Sequence, residues 1–539
     1  MLRGLSRAAA HEGYRVLVAG TPGFGFRHGE VWGVHVAWSG NPVYLVEHLP
    51  EGAATASSVL GGGEHLAPGE VRLAAGESYT TPEVLYVHST AGLDGLSARL
   101  HERLRARPQH PRTPRPVVLN TWEAVYFDHD LATLTALADT AARIGVERFV
   151  LDDGWFGARR DDRTGLGDWY VSQDVWPQGL NPLFDHVRAL GMQVGLWVEP
   201  EMVNPDSDLA RAHPDWVLTP EAPLWRTQHV LDLAHPAAWE HLLERLDALV
   251  TEFGVDFLKW DHNRDLHVAE HRRADGTAAP GVHAQTVALY ALLDELRRRH
   301  PGLEVESCAS GGARVDLGIL QRTDRIWASD TNDALERQQI QRWTALLVPP
   351  ELTGAHVGPP EAHSTHRHLA LQFRCATALF GHAGIEWDVT TCSPAELEVL
   401  SRWTALYKEL RPLLHSGRVV RADEVDPGAL LHGVVAADAG EAVFCWARLA
   451  TAADAQPGRV RLPGLDPAAR YAVRVRTELG EPSVLQGAPP PWPARAGGAA
   501  GGAQDGGGLV LTGAALGALG LPMPLLNPGA ALLLHLVRT

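Results

Sequence analysis

The chain has 539 residues, 45% of them hydrophobic and 21% charged, the balance of a globular protein long enough to bury more than one core. Acidic residues exceed basic ones by 64 − 47 = 17, a negative balance that repels phosphate backbones and argues against a nucleic-acid partner. The spacing of Cys308, Cys375, Cys392 and Cys445 fits neither paired zinc ligands nor a disulfide framework, the N-terminus interrupts its apolar run with His11, Glu12 and Arg15, and no apolar stretch approaches membrane-spanning length, so the expectation is a cytoplasmic protein with no membrane contact.

Taken in order, residues 1–90 alternate in short β-branched runs such as Val31–Trp38 and Val84–Val87, punctuated by Gly and Pro, and read as a β-rich segment. Residues 91–116 hold a helix over Leu93–Leu104 and then a stiff Pro-rich linker. From 117 to 415 the pattern changes to βα repeats. Eight strands are predicted, starting at Val117, Arg148, Gln193, Asp256, Leu303, Arg325, Leu352 and His382, with helices such as 131–144, 239–253 and 283–300 between them. Eight strands with crossovers make a (β/α)8 TIM barrel, so the class is α/β. Residues 416–539 return to alternation and predict a small C-terminal antiparallel β-sandwich, interrupted by a disordered Gly-rich loop over 494–508.

The barrel strands end in polar residues: Asp152-Asp153, Glu199 with Glu201, Lys259-Trp-Asp261, Glu306-Ser-Cys308 and Asp330. That end of a TIM barrel supplies catalytic groups, because branched side chains fill the interior below it. Lysine sharpens the picture. Only Lys259 and Lys408 are lysines among 47 Lys plus Arg, so a chain that defaults to arginine keeps an ammonium two residues before Asp261, on the same strand face. Paired carboxylates cleave glycosidic bonds and aromatic rings stack on sugar faces, so Trp122, Trp155, Trp169, Trp197, Trp260 and Trp327 are candidate cleft platforms among the 17 tryptophans. A metal cluster of His356, His363, His366 and His368 is disfavoured by spacing, and Glu199 with Glu201 is a poor catalytic pair because one strand cannot flank a bond from two sides.

Six segments together carry a resemblance: Asn120-Thr-Trp-Glu-Ala-Val-Tyr-Phe, Leu151-Asp-Asp-Gly-Trp-Phe-Gly, Gly195-Leu-Trp-Val-Glu-Pro-Glu-Met, Lys259-Trp-Asp-His-Asn-Arg, Glu306-Ser-Cys-Ala-Ser-Gly-Gly-Ala-Arg and Ser329-Asp-Thr-Asn-Asp-Ala-Leu-Glu-Arg. In their order they resemble the motif series of family 36 glycoside hydrolases, the α-galactosidases. The resemblance implies a retaining double displacement on terminal α-D-galactosides such as melibiose and raffinose-type oligosaccharides, needing no cofactor or metal. It assigns Asp261 as nucleophile and Asp330 as acid/base, with Asp333 a nearby rival. It implies that Asp152, Asp153, Trp197, Arg226, Lys259, Asn263, Cys308 and Gly311 bind the sugar. Retention implies a carboxylate gap of roughly 5 to 6 Å.

Two departures stand out against the family pattern: Ala309-Ser310 replaces Ser-Gly in the fifth segment, and only about 110 residues precede the barrel. The start resembles the end of a β-supersandwich, either truncated here or preceded by an upstream start. Galactosyl transfer of the raffinose or stachyose synthase kind and α-N-acetylgalactosaminidase activity use the same scaffold and remain open, a catalytically silent sugar-binding protein is the distant alternative, and a homo-oligomer is open too.

Overall fold

A computed structural model describes residues 3–5, 16–50, 58–266, 268–273, 276–452, 454, 458–485, 489–496 and 509–539. The eight apolar runs are strands of one closed parallel barrel: β1 (Val118–Asn120), β2 (Arg148–Leu151), β3 (Gln193–Val198), β4 (Phe257–Trp260), β5 (Glu304–Ser307), β6 (Arg325–Trp327), β7 (Thr353–Val357) and β8 (His382–Ile385). These runs pair as strands because helices cover their outer faces, and near-continuous burial selects Val, Leu and Phe over alternation. The helix Leu131–Arg143 buries Leu134, Leu137, Ala138 and Ala141 at helical spacing. The helix Pro236–Phe253 does the same and stops at Gly254, whose φ of 57° suits a residue without Cβ.

The barrel interior departs from the expected fill of branched side chains. Val118, Val150 and Phe257 form a small apolar cluster there, and Gly195 leaves room for it, since a Cβ at that position would lie 2.7 Å from Val150 Cγ2. Nearby the filling is polar: Arg325 on β6 pairs with Glu306 on β5, and its Nη2 donates to His356 Nε2 on β7 at 2.7 Å. Buried charges are tolerated because each has a partner.

The N-terminal segment is a four-stranded antiparallel sheet in the order Arg3–Leu5, Val16–Gly20, Val31–Val36, Val84–Ser89. A ribbon of Pro42–His48 and Ser58–Glu64 escapes the sequence pattern because Gly61-Gly62-Gly63 reads as loop. The helix Gly92–Ala106 buries Leu93, Leu96, Leu100 and Leu104 in a core shared with Val16 and Val31 of that sheet and with Ile326, Leu347 and Leu352 of the barrel. The Pro-rich run behind it is seated on the barrel by the Arg115–Glu304 ion pair rather than held off it as a spacer.

The C-terminal part is a six-stranded antiparallel sheet in the order Arg418–Arg421, Ala429–Val435, Glu441–Arg448, Ala530–Arg538, Arg470–Arg476, Leu509–Thr512, with a two-stranded ribbon, Arg459–Val460 and Leu521–Pro522, sharing its core. The Gly-rich loop needs a correction at its start. Ala494–Ala496 belong to a short helix, Trp492–Ala496, held by the buried Trp492, whose Nε1 donates to Pro522 O at 2.6 Å. The rest, 497–508, lies outside the described residues. Among the described residues, no helix is long and apolar enough to cross a membrane.

Asp94 joins the first and last parts: its carboxylate accepts from Arg421 N at 2.8 Å and from Arg421 Nη1 at 2.6 Å, both partners being buried. Removing one member strands a charge, so Asp94→Ala should cost about 3–5 kcal/mol and lower the urea unfolding midpoint. An unchanged midpoint would mean that this pair does not hold the two parts together.

Candidate active site

The loops after β2, β4, β5 and β6 bring most of the expected residues to one mouth. Asp261 follows β4 and is fixed on three sides: its Oδ1 accepts from His262 N at 2.8 Å, and its Oδ2 accepts from Asn263 Nδ2 at 2.8 Å and from Trp197 Nε1 at 3.4 Å. Burial alone would push its pKa up. The nearby Lys259 charge and hydrogen bonds from the Cys308 thiol, Asn263 and the backbone outweigh that and hold it below the usual carboxylate range.

Lys259 itself pairs elsewhere. Its Nζ donates to Asp152 Oδ2 at 2.8 Å and acts on Asp261 through space, a geometry that shared strand face alone did not reveal. Burial would drain its charge, but Asp152, Glu386, Cys308 and Asp261 keep its pKa well above normal. Asp152 Oδ2 also accepts from Asn120 Nδ2 at 2.7 Å. Asp153 is gripped by Arg159, whose Nε and Nη2 donate at 3.0 and 2.8 Å.

Asp330 sits just past β6 on the open side of the cleft, with Trp327 Nε1 donating to its Oδ1 at 3.1 Å. Asp330 is open to the cleft, yet the protein mass around it weakens its hydration. That desolvation, followed by the charge of Asp261, raises its pKa to about 6, against an opposing pull from Lys259. The rival Asp333 is engaged elsewhere. Its Oδ1 caps the helix Ala334–Thr344 by accepting from Leu335 N at 2.8 Å, and its Oδ2 pairs with Arg367.

A continuous chain of contacts links the two carboxylates. Asn263, bonded to Asp261, accepts at its Oδ1 from Ser310 Oγ at 2.9 Å. Gly311 follows with φ +81°, and a Cβ there would stand 2.7 Å from Asp330 N. Glycine is needed for both the left-handed backbone and the close approach. Ser310, one of the departures from the family pattern, thus ties the β5 loop to the β4 loop.

The tryptophan reading needs correction. Trp155, Trp169, Trp197, Trp260 and Trp327 are all at most 3% exposed, so none is an open stacking platform, although Trp197 reaches Asp261 with its edge. Three of them donate their indole N–H to carboxylates, Trp197 to Asp261, Trp260 to Glu201 and Trp327 to Asp330, and Trp155 donates to Trp197 O. Only Trp122 of the six is half-buried, in edge contact with the exposed Tyr126 at 5.2 Å. Arg226 lies on an exposed turn at φ 51°, and its charge acts on Asp330 and Glu199 at the mouth. His366 and His368 both face Glu361 at the surface.

Several residues of the mouth had no assigned role in the sequence reading. Glu199 is fully buried, accepts from Asn263 N at 2.7 Å, and is raised to about 8 by burial and the Asp261 charge. Glu123 is likewise raised to about 8 by burial and by Glu386. Asn332 Nδ2 donates to both, at 2.8 Å to Glu123 and 3.3 Å to Glu386. Glu386 directly follows β8, so the rule that strands end in chemistry could have found it.

Comparison with known proteins agrees along the whole chain. The Melibiase model matches residues 78–417, between the glycosyl hydrolase family 36 N-terminal domain at 3–74 and its C-terminal domain at 431–536. An alpha-galactosidase of Escherichia coli is 42% identical over 542 residues, covering 98% of this chain and 73% of that protein. Alpha-galactosidase AgaA of Geobacillus stearothermophilus is 36% identical over 457 residues, covering 83% of this chain and 62% of its own length. The AgaA crystal structure superposes with a TM-score of 0.87 at 32% identity, over 100% of this chain and 72% of that one. Variants of AgaA have been solved with raffinose and with stachyose. An alpha-galactosidase of Lactobacillus brevis superposes at a TM-score of 0.86 with 30% identity, covering 98% of this chain and 69% of that chain.

The charge coupling between Asp261 and Asp330 can be tested by titration. Followed by carboxyl carbon NMR, Asp330 should titrate near 6. Asp261→Asn removes a negative neighbour and should lower that midpoint. A midpoint that does not move would show that the two groups do not sense each other.

Proposed function

The chain belongs to glycoside hydrolase family 36, and on that premise we propose that it is a retaining α-galactosidase acting on terminal non-reducing α-D-galactosides such as melibiose and raffinose-type oligosaccharides. One observation supports the reading above others: two neighbouring carboxyls are driven apart in proton affinity, Asp261 kept ionised and Asp330 raised to about 6. That is the division of labour a double displacement needs.

In the first step an oxygen of Asp261 attacks the anomeric carbon as its bond to the leaving oxygen breaks, and the Asp330 proton passes to that oxygen. A β-galactosyl ester remains on Asp261. In the second step Asp330, now a carboxylate, takes a proton from water as the water oxygen bonds to the anomeric carbon and Asp261 departs. Two inversions return the α-anomer. Lys259 and Asn263 hold Asp261 ionised and aimed, while Asp152, Asp153, Trp197, Arg226, Lys259, Asn263, Cys308 and Gly311 form the proposed sugar site. Asp152 Oδ1 carries one backbone hydrogen bond, from Asp153 N at 2.9 Å, which leaves it capacity for a sugar hydroxyl. The Cys308 thiol is held neutral by burial and by the charges of Asp261 and Asp330, so it serves as a donor and wall and not as a nucleophile. All four cysteines are unpaired, which supports a reducing, cytoplasmic setting.

Asp261→Ala should abolish turnover, with azide restoring part of it and yielding the β-galactosyl azide. In the wild type, proton NMR of early hydrolysis should show α-galactose first. An α-azide product, or β-galactose as first product, would overturn the assignment of Asp261.

Asp330→Ala should leave an activated nitrophenyl α-galactoside far better cleaved than melibiose, because only the poor leaving group needs the proton. The wild-type kcat/KM should fall as pH rises through about 6, where Asp330 loses its proton, and fall again in acid once Asp261 gains one. Equal losses on both substrates would remove Asp330 from the acid role.

A further inference from the structure

Resting on that reading, we infer that Arg337 is the positioning residue that sets the acid/base carboxyl of Asp330. Arg337 lies in the helix Ala334–Thr344 and is 2% exposed. Its hydrogen bonds end on amide oxygens: Nε donates to Thr331 O at 2.6 Å, Nη2 to Ser329 O at 2.6 Å and to Asn332 Oδ1 at 3.4 Å, and Nη1 to Gly354 O at 3.2 Å. Ser329 and Thr331 are the two neighbours of Asp330, so one guanidinium holds the backbone on both sides of the carboxyl. The same group lies 4.3 Å from the centroid of the Trp327 ring, whose Nε1 donates to Asp330 Oδ1 at 3.1 Å. Arg337 therefore fixes the loop that carries the acid and the indole that orients it.

The chemistry of a guanidinium fits that role. A planar fork can reach two carbonyls two residues apart at once, which a lysine ammonium on a flexible stem does not reproduce. Burying a cation among carbonyls is costly, and burial lowers the Arg337 pKa to about 10, still charged under working conditions. The compensating fields come from Glu386, Asp330 and Glu123, so the charge belongs to the acid side of the cleft. Asp330 in turn faces Asp261 and Lys259 from β4, Glu386 after β8 and Arg226 from the exposed turn. Removing the Arg337 charge leaves Asp330 among more negative neighbours and raises its proton affinity.

The test uses all 539 residues of the chain, with rates expressed per active site, counted by a mechanism-based galactosyl inactivator so that unfolded protein drops out. Arg337→Lys keeps the charge and loses the fork. It should lower kcat/KM for melibiose by at least about 30-fold, within the range of general acid catalysis, while a nitrophenyl α-galactoside loses less than about threefold. Arg337→Gln should add an upward shift of the alkaline limb of the pH profile. In an Asp330→Ala background, Arg337→Lys should cost almost nothing further, because both changes disable the same proton transfer. Equal losses on the two substrates, an unmoved alkaline limb in Arg337→Gln, or an undiminished effect in the Asp330→Ala background would each overturn the role and leave Arg337 as a fold residue only. A wild type that cleaves no α-galactoside would instead overturn the proposed function, before any variant is compared.

Discussion

Crowding of negative charge at the barrel mouth is the constraint on which the rest of the site depends. Asp152, Asp153, Glu199, Glu201 and Asp261 are buried at three neighbouring strand ends, where like charges repel strongly, and Asp330 faces them from the open side of the cleft. The protein resolves this in three ways. Asp152, Asp153 and Glu201 take cations, namely Lys259, Arg159 and Arg314. Glu199 keeps its proton, at a pKa of about 8. Asp261 stays ionised because one cation and four hydrogen-bond donors converge near it, and Asp330, beside that fixed charge, becomes the group that can give and take a proton near pH 6. Asp330 therefore acquires its proton affinity partly from Asp261, and the two roles proposed for them draw on one arrangement.

What could be read from the chain alone followed from position along strands. Eight apolar runs and the polar residues at their ends placed Asp261, Lys259, Cys308 and Asp330 together, since a closed parallel barrel brings all strand ends to one rim. Burial of the tryptophans could not be read that way. Trp155 and Trp260 occupy the same kind of strand-end position as a platform residue, and only the neighbours packed over them make them core. The partner of Lys259 was also hidden: a shared strand face pointed to Asp261, whereas Asp152 on a strand two places away in the ring lies closer. Arg337 was visible as the end of a motif, but its function lies in carbonyls six and eight residues back, which curl around it only in the folded loop.

Between the two carboxylates, precision depends on small residues. Gly311 and Gly312 press against Ala328–Asp330, where Cβ atoms would come within 2.3 to 2.7 Å of backbone atoms. Ser310 holds that strand-end loop to Asn263 at 2.9 Å. The β5 loop thus works as a spacer between the β4 loop, which carries Asp261, the proposed nucleophile, and the β6 loop, which carries Asp330, the proposed acid. Without it, the distance between the groups would depend on two independent loops, and the choice between direct attack and water-mediated attack rests on a few ångströms.

The remaining buried carboxyl, Glu199, completes the electrostatic logic. Its Oε1 accepts from Asn263 N at 2.7 Å, so it braces the residue that aims Asp261. Were it also charged, it would place a second negative group beside Asp261, and the two would repel across a buried space. Burial and the field of Asp261 put a proton on Glu199, whose pKa of about 8 keeps it neutral throughout the range where Asp330 is active. Below about pH 8, Glu199 and Asp261 thus carry one negative charge between them. That charge stays on Asp261 because Lys259 and the Asn263 amide favour it there, so the brace can be a carboxyl without competing with the Asp261 charge it supports.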